Sequence, residues 1–373
     1  MIIQRTIQNS IKKSLFKGKI IIIYGARQVG KTTLVKEILK DYPQNSEYYN
    51  CDEIDIRQSL IDKTSTELKV LFGNKKLVIL DEAQRVKNIG LTLKIIADNF
   101  SDLQIIATGS SSFDLSNEIA EPLTGRKIEF YLYPFSLEEI KSIYSKLELS
   151  RLLERRMIFG MYPDIVINEA EAERNLRNLT SSYTYKDALQ YQNIKNPEIL
   201  EKLLQSLALQ IGNEVSYNEL ASLIGIDKNT VASYIRILEQ AFIVFRLRPF
   251  SRNLRNELKK LRKIYFYDTG IRNSLINNYN HLDLRQDTGH LWENFIISER
   301  IKKNNNLNLN INAYFWRSRQ GQEIDYLEEK ADKLAGFEIK WKDEKFKKPK
   351  IFLEHYANSA VNLINRENFE KFI

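Results

Sequence analysis

One short segment near the N-terminus constrains the fold of this chain more than any other. An apolar run, Ile20–Tyr24, leads into a loop and then into an amphipathic segment that ends at Leu39. The loop reads Gly25-Ala26-Arg27-Gln28-Val29-Gly30-Lys31-Thr32. A strand, a loop of this spacing and a helix form the phosphate-binding loop pattern, in which two glycines let the backbone N–H groups converge on an anion. The positive end of the helix points to the same place.

The residue types of this loop predict a nucleotide and a divalent cation as ligands. We expect Lys31 to reach the β- and γ-phosphates and the Thr32 hydroxyl to hold Mg²⁺. A chance match in a lysine-rich chain is the alternative, but the flanking strand and helix argue against it. ATP and Mg²⁺ are therefore the expected cofactors. The expected nucleotide-binding residues are Gly25, Ala26, Arg27, Gln28, Val29, Gly30, Lys31, Thr32 and Thr33.

Further apolar segments alternate with helical ones through the first third of the chain. Helical spacing of Ile3, Ile7, Ile11 and Leu15 predicts a helix within residues 1–16. Alternating strands and helices predict an α/β fold with a parallel sheet that is covered on both sides. The predicted strands after Ile20–Tyr24 are Tyr48–Cys51, Lys76–Asp81, Asp102–Thr108 and Lys127–Tyr133.

An acidic pair, Asp81 and Glu82, ends the third predicted strand. Ligands of open parallel sheets bind at the carboxyl ends of the strands. We expect Asp81 to coordinate Mg²⁺ through water and Glu82 to act as the base that polarises the attacking water. The alternative is that the pair only begins the next helix, where the dipole favours carboxylates.

Two more positions are candidates for contact with the γ-phosphate. The fourth strand ends at Thr108, and either Thr108 or Ser110 can sense that phosphate. Arg126 precedes the fifth strand, where an arginine can stabilise the transferring phosphoryl group from a neighbouring subunit. A solvated arginine at a turn remains the alternative for Arg126.

These motifs resemble a known family when they are taken together. The loop Gly25–Thr33, the run Leu80–Gln84, the run Thr108–Ser111 and the pair Gly125-Arg126 before Pro134–Ser136 are similar to AAA-type P-loop ATPases of bacteria and archaea that carry a C-terminal domain of unknown function. The resemblance covers nearly the whole chain. It implies that Arg126 is an arginine finger and that a homo-oligomer is one expected assembly.

A helical stretch from Leu137 to Ile211 is followed by a helix-turn-helix pattern. Residues 219–224 and 228–240 predict two helices around a turn capped by Asp227. Asn229, Ser233 and Arg236 form the face that can read bases or phosphates. A basic cluster follows at Arg246, Arg248, Arg252, Arg255, Lys259, Lys260, Arg262 and Lys263. The pattern predicts a winged helix that binds double-stranded DNA, with a lid or a protein contact as the alternative.

The C-terminal segment predicts a cluster of carboxylates around a lysine. A helix over 289–303 places Glu293 on an apolar face, and an Asn-rich loop over 304–312 is expected to be flexible. Strands over 313–317, 323–328 and 334–341 include a hairpin that sets Asp325 opposite Glu338, while Glu338 and Lys340 share a face. Such groups suit a metal ion that activates water for phosphodiester cleavage. A structural salt-bridge cluster is the alternative.

This arrangement resembles the restriction-endonuclease-like fold. The resemblance implies a metal site made of Glu293, Asp325, Glu338 and Lys340. The predicted division is an ATPase domain (1–140), a helical linker (141–212), a winged helix-turn-helix (213–270) and a restriction-endonuclease-like α/β domain (271–373).

Charge and cysteine content narrow the partners. The net charge of +8 favours polyanions, and the single cysteine excludes an intramolecular disulfide framework. Because no apolar run reaches the length of a membrane span, we expect a cytoplasmic protein with no membrane contact. Two functions follow: a DNA-associated ATPase switch with a nuclease-like domain that can be degenerate, or an ATPase scaffold that controls protein partners without binding or cutting DNA.

Overall fold

The structure, a computed structural model, describes residues 2–109, 119, 121–190, 196–252, 262–342 and 346–373. It divides into two compact units. The N-terminal unit comprises Ile2–Pro134 and Gln240–Phe242, and the C-terminal unit comprises Phe135–Glu239 and Ile243–Ile373. Nearly all residues of the predicted linker, winged helix and C-terminal domain therefore lie in one compact unit.

The N-terminal unit is built on a parallel sheet. Its strands are β1 (Ile20–Gly25), β2 (Ser46–Asn50), β3 (Leu77–Asp81), β4 (Gln104–Gly109) and β5 (Lys127–Leu132). They lie in the order β2-β3-β4-β1-β5. The central strands β1, β3 and β4 are buried along their whole length, as strands covered on both faces must be. The predicted α/β fold with a parallel sheet is confirmed.

The helices of this unit pack apolar stripes on the sheet. They are α1 (Gln8–Ser14), α2 (Lys31–Leu39), α3 (Ile54–Leu60), α4 (Ser65–Phe72) and α5 (Ile89–Asn99). In α2 the stripe Leu34, Val35 and Ile38 is buried. Helix α1 is shorter than predicted because the backbone becomes extended at Leu15, although the predicted inward residues Ile3, Ile7, Ile11 and Leu15 are all buried.

The C-terminal unit begins with helices, as predicted. They are α6 (Leu137–Ile140), α7 (Lys146–Phe159), α8 (Pro163–Ile167), α9 (Ala172–Gln190) and α10 (Pro197–Leu209). Two further helices, α11 (Tyr217–Ile224) and α12 (Lys228–Gln240), match the predicted pair around a turn. Gly225 adopts a left-handed φ of 80° at the turn, and Asp227 Oδ1 accepts hydrogen bonds from the N–H groups of Asn229 and Thr230.

A second sheet runs through the rest of this unit. Its strands are β6 (Glu214–Val215), β7 (Val244–Pro249), β8 (Arg262–Phe266), β9 (Asn312–Arg317), β10 (Glu323–Lys330), β11 (Lys333–Ile339) and β12 (Ser359–Ile364). The order is β12-β11-β10-β9-β7-β8-β6. Because β7 pairs with β9, the sheet continues across residue 270, where the sequence predicts a domain boundary. Strand β12 is not among the predicted elements.

The remaining helices are α13 (Thr269–Leu275), α14 (Thr288–Asn306), α15 (Lys350–His355) and α16 (Phe369–Phe372). Helix α14 extends three residues beyond the predicted end, and Asn304 is buried and donates a hydrogen bond to Glu328. The expectation of a flexible loop from Asn304 is therefore wrong at its start, because this side chain satisfies a buried carboxylate. Within the described ranges, none of the helices combines the length and apolar composition that a bilayer crossing requires.

The hairpin of β10 and β11 has the predicted register and turn. Tyr326 pairs with Phe337 at the end of the paired segment, and the same register carried one residue further sets Asp325 across from Glu338. Ala331 and Asp332 form the two-residue connection, with φ values of 48° and 61°. Positive φ at both positions is typical of the turn that best fits the right-handed twist of a hairpin.

Candidate functional site

The loop between β1 and α2 has a conformation that requires glycine at two positions. A Cβ atom on Gly25 would lie 2.3 Å from the carbonyl oxygen of Leu132. Gly30 has a φ of 95°, in the left-handed region that side chains disfavour. These two positions are the glycines of the predicted phosphate-binding loop, so local sterics explain why the motif contains them.

Lys31 is the first residue of α2, and its ammonium lies against the loop. Lys31 Nζ donates hydrogen bonds of 2.9 Å to the carbonyl oxygens of Gly25 and Ala26. The same nitrogen lies 4.0 Å from Glu82 Oε1. The loop therefore places its cation beside the predicted base.

Asp81, at the end of β3, accepts hydrogen bonds from side chains of two other strands and one helix. Thr32 Oγ1 donates to Asp81 Oδ2 at 2.7 Å, and Tyr48 OH donates to the same oxygen at 2.6 Å. Thr108 Oγ1 donates to Asp81 Oδ1. Thr32 and Asp81, the two predicted magnesium residues, are thus in direct contact. Hydroxyl and carboxylate oxygens are ligands that Mg²⁺ prefers, so the donor set fits that ion.

Glu82 has an unusual backbone conformation next to Asp81. Its φ is 53°, and it precedes a short 3₁₀ helix, Ala83–Arg85. Left-handed conformations of residues other than glycine concentrate at functional sites. Gln84 Nε2 donates to Glu82 Oε2 at 2.6 Å, while the Glu82 N–H donates to Thr108 Oγ1 at 3.1 Å. The backbone and two hydrogen bonds therefore fix the direction of this carboxylate.

The sequence reasoning missed Tyr48 and Arg5 at this site. Burial and the hydrogen bond to Asp81 raise the pKa of the Tyr48 phenol, so it stays protonated and donates. Arg5 donates hydrogen bonds to the carbonyl oxygens of Val29 at 2.9 Å and Tyr133 at 2.5 Å. These bonds join the phosphate-binding loop to the segment that follows β5. Tyr48 was missed because its approach to Asp81 depends on β2 lying beside β3, a strand order that no single segment of the sequence reveals.

Of the residues predicted to contact the γ-phosphate, the structure describes Thr108 and Arg126. The Thr108 side chain is fully buried, and its hydroxyl bridges Asp81 and the Glu82 N–H. Ser110, the other candidate sensor, lies outside the described residues. Arg126 lies before the amino end of β5, where its Nε contacts Asp98 Oδ1 at 2.6 Å and its side chain is 41% exposed.

In the C-terminal unit, the four residues predicted as a metal site lie close together. Glu293 comes from α14 and Asp325 from β10, while Glu338 and Lys340 come from β11 and its end. Lys340 Nζ lies 2.9 Å from Glu338 Oε1. Glu293, Asp325 and Lys340 line a cavity of about 720 Å³.

Lys263 also belongs to this cluster, and its prediction as part of a DNA-contacting basic surface is wrong. Its side chain is buried, with Nζ 3.1 Å from Glu293 Oε1 and 3.4 Å from Asp325 Oδ1. The reason is that β8 is buried from Lys263 to Phe266, and only its first residue, Arg262, is partly exposed and stacks over Tyr217. The spacing of basic residues along the chain cannot reveal that direction.

The environment separates the two carboxylates that contact Lys263. Burial opposes ionisation of Glu293, but Lys263 and the donors His290 and Tyr265 lower its pKa. Burial and the nearby Glu293 raise the pKa of Asp325 to about 8. Glu293 is therefore the ionised partner of Lys263 at neutral pH.

The rest of the basic cluster is only partly available to a polyanion. Arg246 is paired with Glu239, and Arg252 lies 3.6 Å from Glu329, while Arg248 is exposed. Arg255, Lys259 and Lys260 lie outside the described residues. On α12, the predicted reading face of Asn229, Ser233 and Arg236 is exposed.

Comparisons with known proteins match three segments of the chain. Residues 17–141 match an AAA domain family, residues 150–282 a domain of unknown function (DUF8612), and residues 288–370 a domain of unknown function (DUF4143). The chain is 27% identical over 344 residues to the uncharacterized protein MJ1544 of Methanocaldococcus jannaschii, which spans 87% of this chain and 75% of the relative. It is 25% identical over 336 residues to the uncharacterized protein Rv2008c of Mycobacterium tuberculosis, spanning 88% and 72%.

A solved structure shares the fold. The Walker-type ATPase PABY2304 of Pyrococcus abyssi has a TM-score of 0.51 and 16% identity, covering 74% of this chain and 96% of that chain. The likeness concerns the fold alone at this identity. Together with the AAA domain match over residues 17–141 and the loop between β1 and α2, it supports an AAA-type P-loop ATPase fold for the N-terminal part of the chain.

Proposed function

We propose that this protein hydrolyses ATP with the help of Mg²⁺ and uses the nucleotide state as a switch in a DNA-associated process. The observation that carries the ATPase proposal is the convergence of Lys31, Thr32, Asp81 and Glu82 at the carboxyl ends of β1 and β3. In this proposal, the loop N–H groups and Lys31 bind the phosphates, and Thr32 and Asp81 hold the metal. The bound ion would neutralise charge on the phosphates.

The proton-handling step falls to Glu82. Its carboxylate is directed by Gln84 and by its own left-handed backbone, beside the Lys31 ammonium. From there it can orient a water and accept its proton as the water attacks the terminal phosphate. Thr108 and Tyr48 are positioning residues, because they donate to Asp81 and hold it in place.

The DNA-associated part of the proposal rests on the C-terminal unit. Helix α12 exposes Asn229, Ser233 and Arg236 on the face opposite its buried stripe. The strands β6, β8 and β7 are adjacent in the sheet. In the sequence β6 precedes this helix pair and β7 and β8 follow it, as the strands of a winged helix do. An exposed second helix with amide, hydroxyl and guanidinium groups can enter the major groove of a duplex.

The prediction for DNA is a steep salt dependence that depends on α12. Duplex affinity should fall as salt rises, and Lys228→Ala with Arg236→Ala should flatten the slope of log K against log salt by about 0.9 for each phosphate that the variant no longer neutralises. Fluorescence anisotropy of a labelled duplex measures this. The matched control removes two exposed lysines of the β10–β11 turn, Lys330→Ala with Lys333→Ala, and should leave the slope unchanged. An equal change in both double variants would show that the duplex does not bind at α12.

A second function is a regulatory scaffold in which the nucleotide state controls protein partners. The pairing of Arg246 with Glu239 and of Arg252 with Glu329 favours it, because these cations already have internal partners. ATP turnover of the full chain with and without duplex DNA distinguishes the two functions. Stimulation by DNA supports the switch, and unchanged turnover together with absent duplex binding supports the scaffold.

The geometry of Arg126 leads to a prediction about assembly. Arg126 precedes the amino end of β5, whereas the phosphate loop follows the carboxyl end of β1, and the paired strands separate the two ends by about 17 Å. Its exposed contact with Asp98 is of the kind that contributes only ~0–1 kcal/mol, so the guanidinium can leave it. We therefore propose that Arg126 acts on nucleotide bound to a neighbouring subunit.

Mixing two inactive proteins tests this role. Arg126→Ala and Lys31→Ala should each lack ATP turnover, and mixed oligomers should recover part of it because an intact loop meets an intact arginine. Phosphate release from verified mixed oligomers is the measurement. Arg85→Ala, which removes an exposed arginine paired with Asp52, is the control and should retain turnover by itself. No recovery in mixed oligomers would make Arg126 a structural residue.

A further inference from the structure

The carboxylate cluster of the C-terminal unit already contains a cation that belongs to the chain. Lys263 Nζ lies between Glu293 Oε1 and Asp325 Oδ1, at 3.1 Å and 3.4 Å. These two oxygens come from different elements, α14 and β10, and the Lys263 ammonium contacts both of them. A divalent ion bridging the same pair would have to occupy the position of Lys263 Nζ.

Other oxygens of Glu293 and Asp325 also face donors from the chain, whereas the buried Glu338 Oε2 has no hydrogen-bond partner among the described residues. Tyr265 OH donates to Glu293 Oε1 at 2.5 Å, and the Ile339 N–H donates to Asp325 Oδ2 at 2.9 Å. His290 Nδ1 lies 3.7 Å from Glu293 Oε2. The hydroxyl donors on Asp81 are neutral, whereas the group between Glu293 and Asp325 is an ammonium that puts a positive charge where a metal ion would bind. Among the described residues, no group of three or more acidic, histidine or cysteine side chains could hold a metal ion.

Lys263 is held in this position by its strand. In β8 it pairs with Leu247 of β7 on one side and with Glu214 of β6 on the other, so its backbone is fixed from both edges. Its side chain is buried, and Nζ lies 5.8 Å from the centre of the Phe315 ring. The ammonium is therefore a built part of the cluster and differs from a surface lysine that visits it.

We propose that the Lys263 ammonium takes the place of a divalent metal ion in this cluster, so that Glu293, Asp325 and Glu338 bind no Mg²⁺ or Mn²⁺ and cut no phosphodiester bond. An ammonium and a divalent ion at one position repel each other, and the lysine is tethered whereas the ion must leave water. The residues that the nuclease-like resemblance implies are thus present, but they do not fit a metal. The C-terminal unit would bind DNA without cutting it.

This inference concerns the nuclease-like resemblance of the C-terminal segment and rests on the proposed function only where this unit is said to bind DNA, so the two can fail separately. Metal binding is measured on the full chain without nucleotide, so ATP turnover does not enter. Any Mn²⁺ bound near Asp81 is identified because it is independent of Asp325.

The experiment compares Mn²⁺ binding by wild type and Lys263→Ala with titration calorimetry and Mn²⁺ electron paramagnetic resonance. Wild type and Asp325→Asn should bind the same amount of Mn²⁺. Lys263→Ala leaves an empty position between two carboxylates and should bind one additional Mn²⁺ per chain. At ~100 times the dissociation constant, mass action should raise its midpoint of thermal unfolding, whereas the wild-type midpoint should not change through this site.

Two further variants separate metal binding from the mere loss of a buried lysine. Lys302→Ala removes another buried lysine of this unit, which contacts Glu299 and the carbonyl oxygen of Phe135. It should lose stability, and Mn²⁺ should not restore it, because Glu299 is the one carboxylate that lies within ion-pair distance of Lys302 Nζ among the described residues. The double variant Lys263→Ala with Asp325→Asn should lose the additional Mn²⁺.

Two results would overturn the proposal. One is a Mn²⁺ ion on wild type that Asp325→Asn abolishes, since the ammonium would then not exclude the metal. The other is a folded Lys263→Ala protein that binds no additional Mn²⁺. If Lys263→Ala does not fold, the comparison of wild type with Asp325→Asn still decides the first point.

Discussion

Lys31→Ala should abolish tight ATP binding, whereas Glu82→Gln should bind ATP and stop at hydrolysis. Lys31 carries the buried ammonium of the loop, and loss of one partner of a buried charge pair costs about 2–5 kcal/mol, or roughly 30- to 5,000-fold in affinity. Glu82→Gln keeps the shape of the side chain but cannot accept a proton. Loss of a general base lowers turnover by about 10²–10⁴-fold.

Binding of a fluorescent ATP analogue and release of phosphate measure the two effects separately. Lys40→Ala and Glu37→Gln are matched controls, because the exposed Lys40 and the partly exposed Glu37 form an ion pair at the end of α2, away from the loop. Both controls should retain binding and turnover. Equal loss of ATP binding in Lys31→Ala and Glu82→Gln would contradict the assigned roles.

The sequence allowed the phosphate-binding loop to be predicted because its determinants are local. Gly30 has a left-handed backbone within the loop itself, and Lys31 and Thr32 follow it directly on α2, although the carbonyl oxygen that excludes a side chain at Gly25 belongs to the distant Leu132. The meeting of Thr32 and Asp81 needed one further rule, that parallel strands carry their ligands at their carboxyl ends. Motif and topology together therefore predicted these contacts.

Other parts of the site depend on strand order and on side-chain direction. Tyr48 reaches Asp81 because β2 lies beside β3, which no single segment reveals. Lys263 stands in a run of basic residues, so composition counted it as a solvent-facing cation, but it lies in a strand that is buried from Lys263 to Phe266. Its carboxylate partners Glu293 and Asp325 lie 30 and 62 positions away in the sequence.

The C-terminal hairpin shows the same division between local and distant information. The turn at Ala331 and Asp332 fixed the register, so the facing of Asp325 and Glu338 was predictable. The pairing of β7 with β9 was not, because it joins residues far apart in the chain. As a result, strand β7, which follows the helix pair around Asp227, and the strands that carry Asp325 and Glu338 belong to one continuous sheet. The sequence predicted separate domains.

A buried arginine cluster positions the helix that carries Glu293. Arg272 donates to Asp287, which immediately precedes α14, and its Nε donates to the carbonyl oxygen of Ala208 in α10 at 2.8 Å. Arg285 donates to both oxygens of Asp287 at 2.9 Å. One carboxylate and two guanidinium groups thus join α10, α13 and the start of α14.

Arg272→Met should destabilise the C-terminal unit by about 3 kcal/mol, the lower end for breaking a buried ion pair, because Arg285 still neutralises Asp287. At roughly 2–4 °C per kcal/mol, the midpoint of thermal unfolding should fall by about 6–12 °C. Arg317→Met, which removes a half-exposed arginine 3.7 Å from Glu214, is the control and should cost ~0–1 kcal/mol.

Burial opposes ionisation of Asp287, but Arg285 and Arg272 lower its pKa. The pair therefore stabilises the fold above the ordinary aspartate pKa of about 3.9 and weakens as the pH falls below it. The difference between wild type and Arg272→Met should therefore shrink in acid. A difference that is independent of pH would show that Arg272 contributes packing alone.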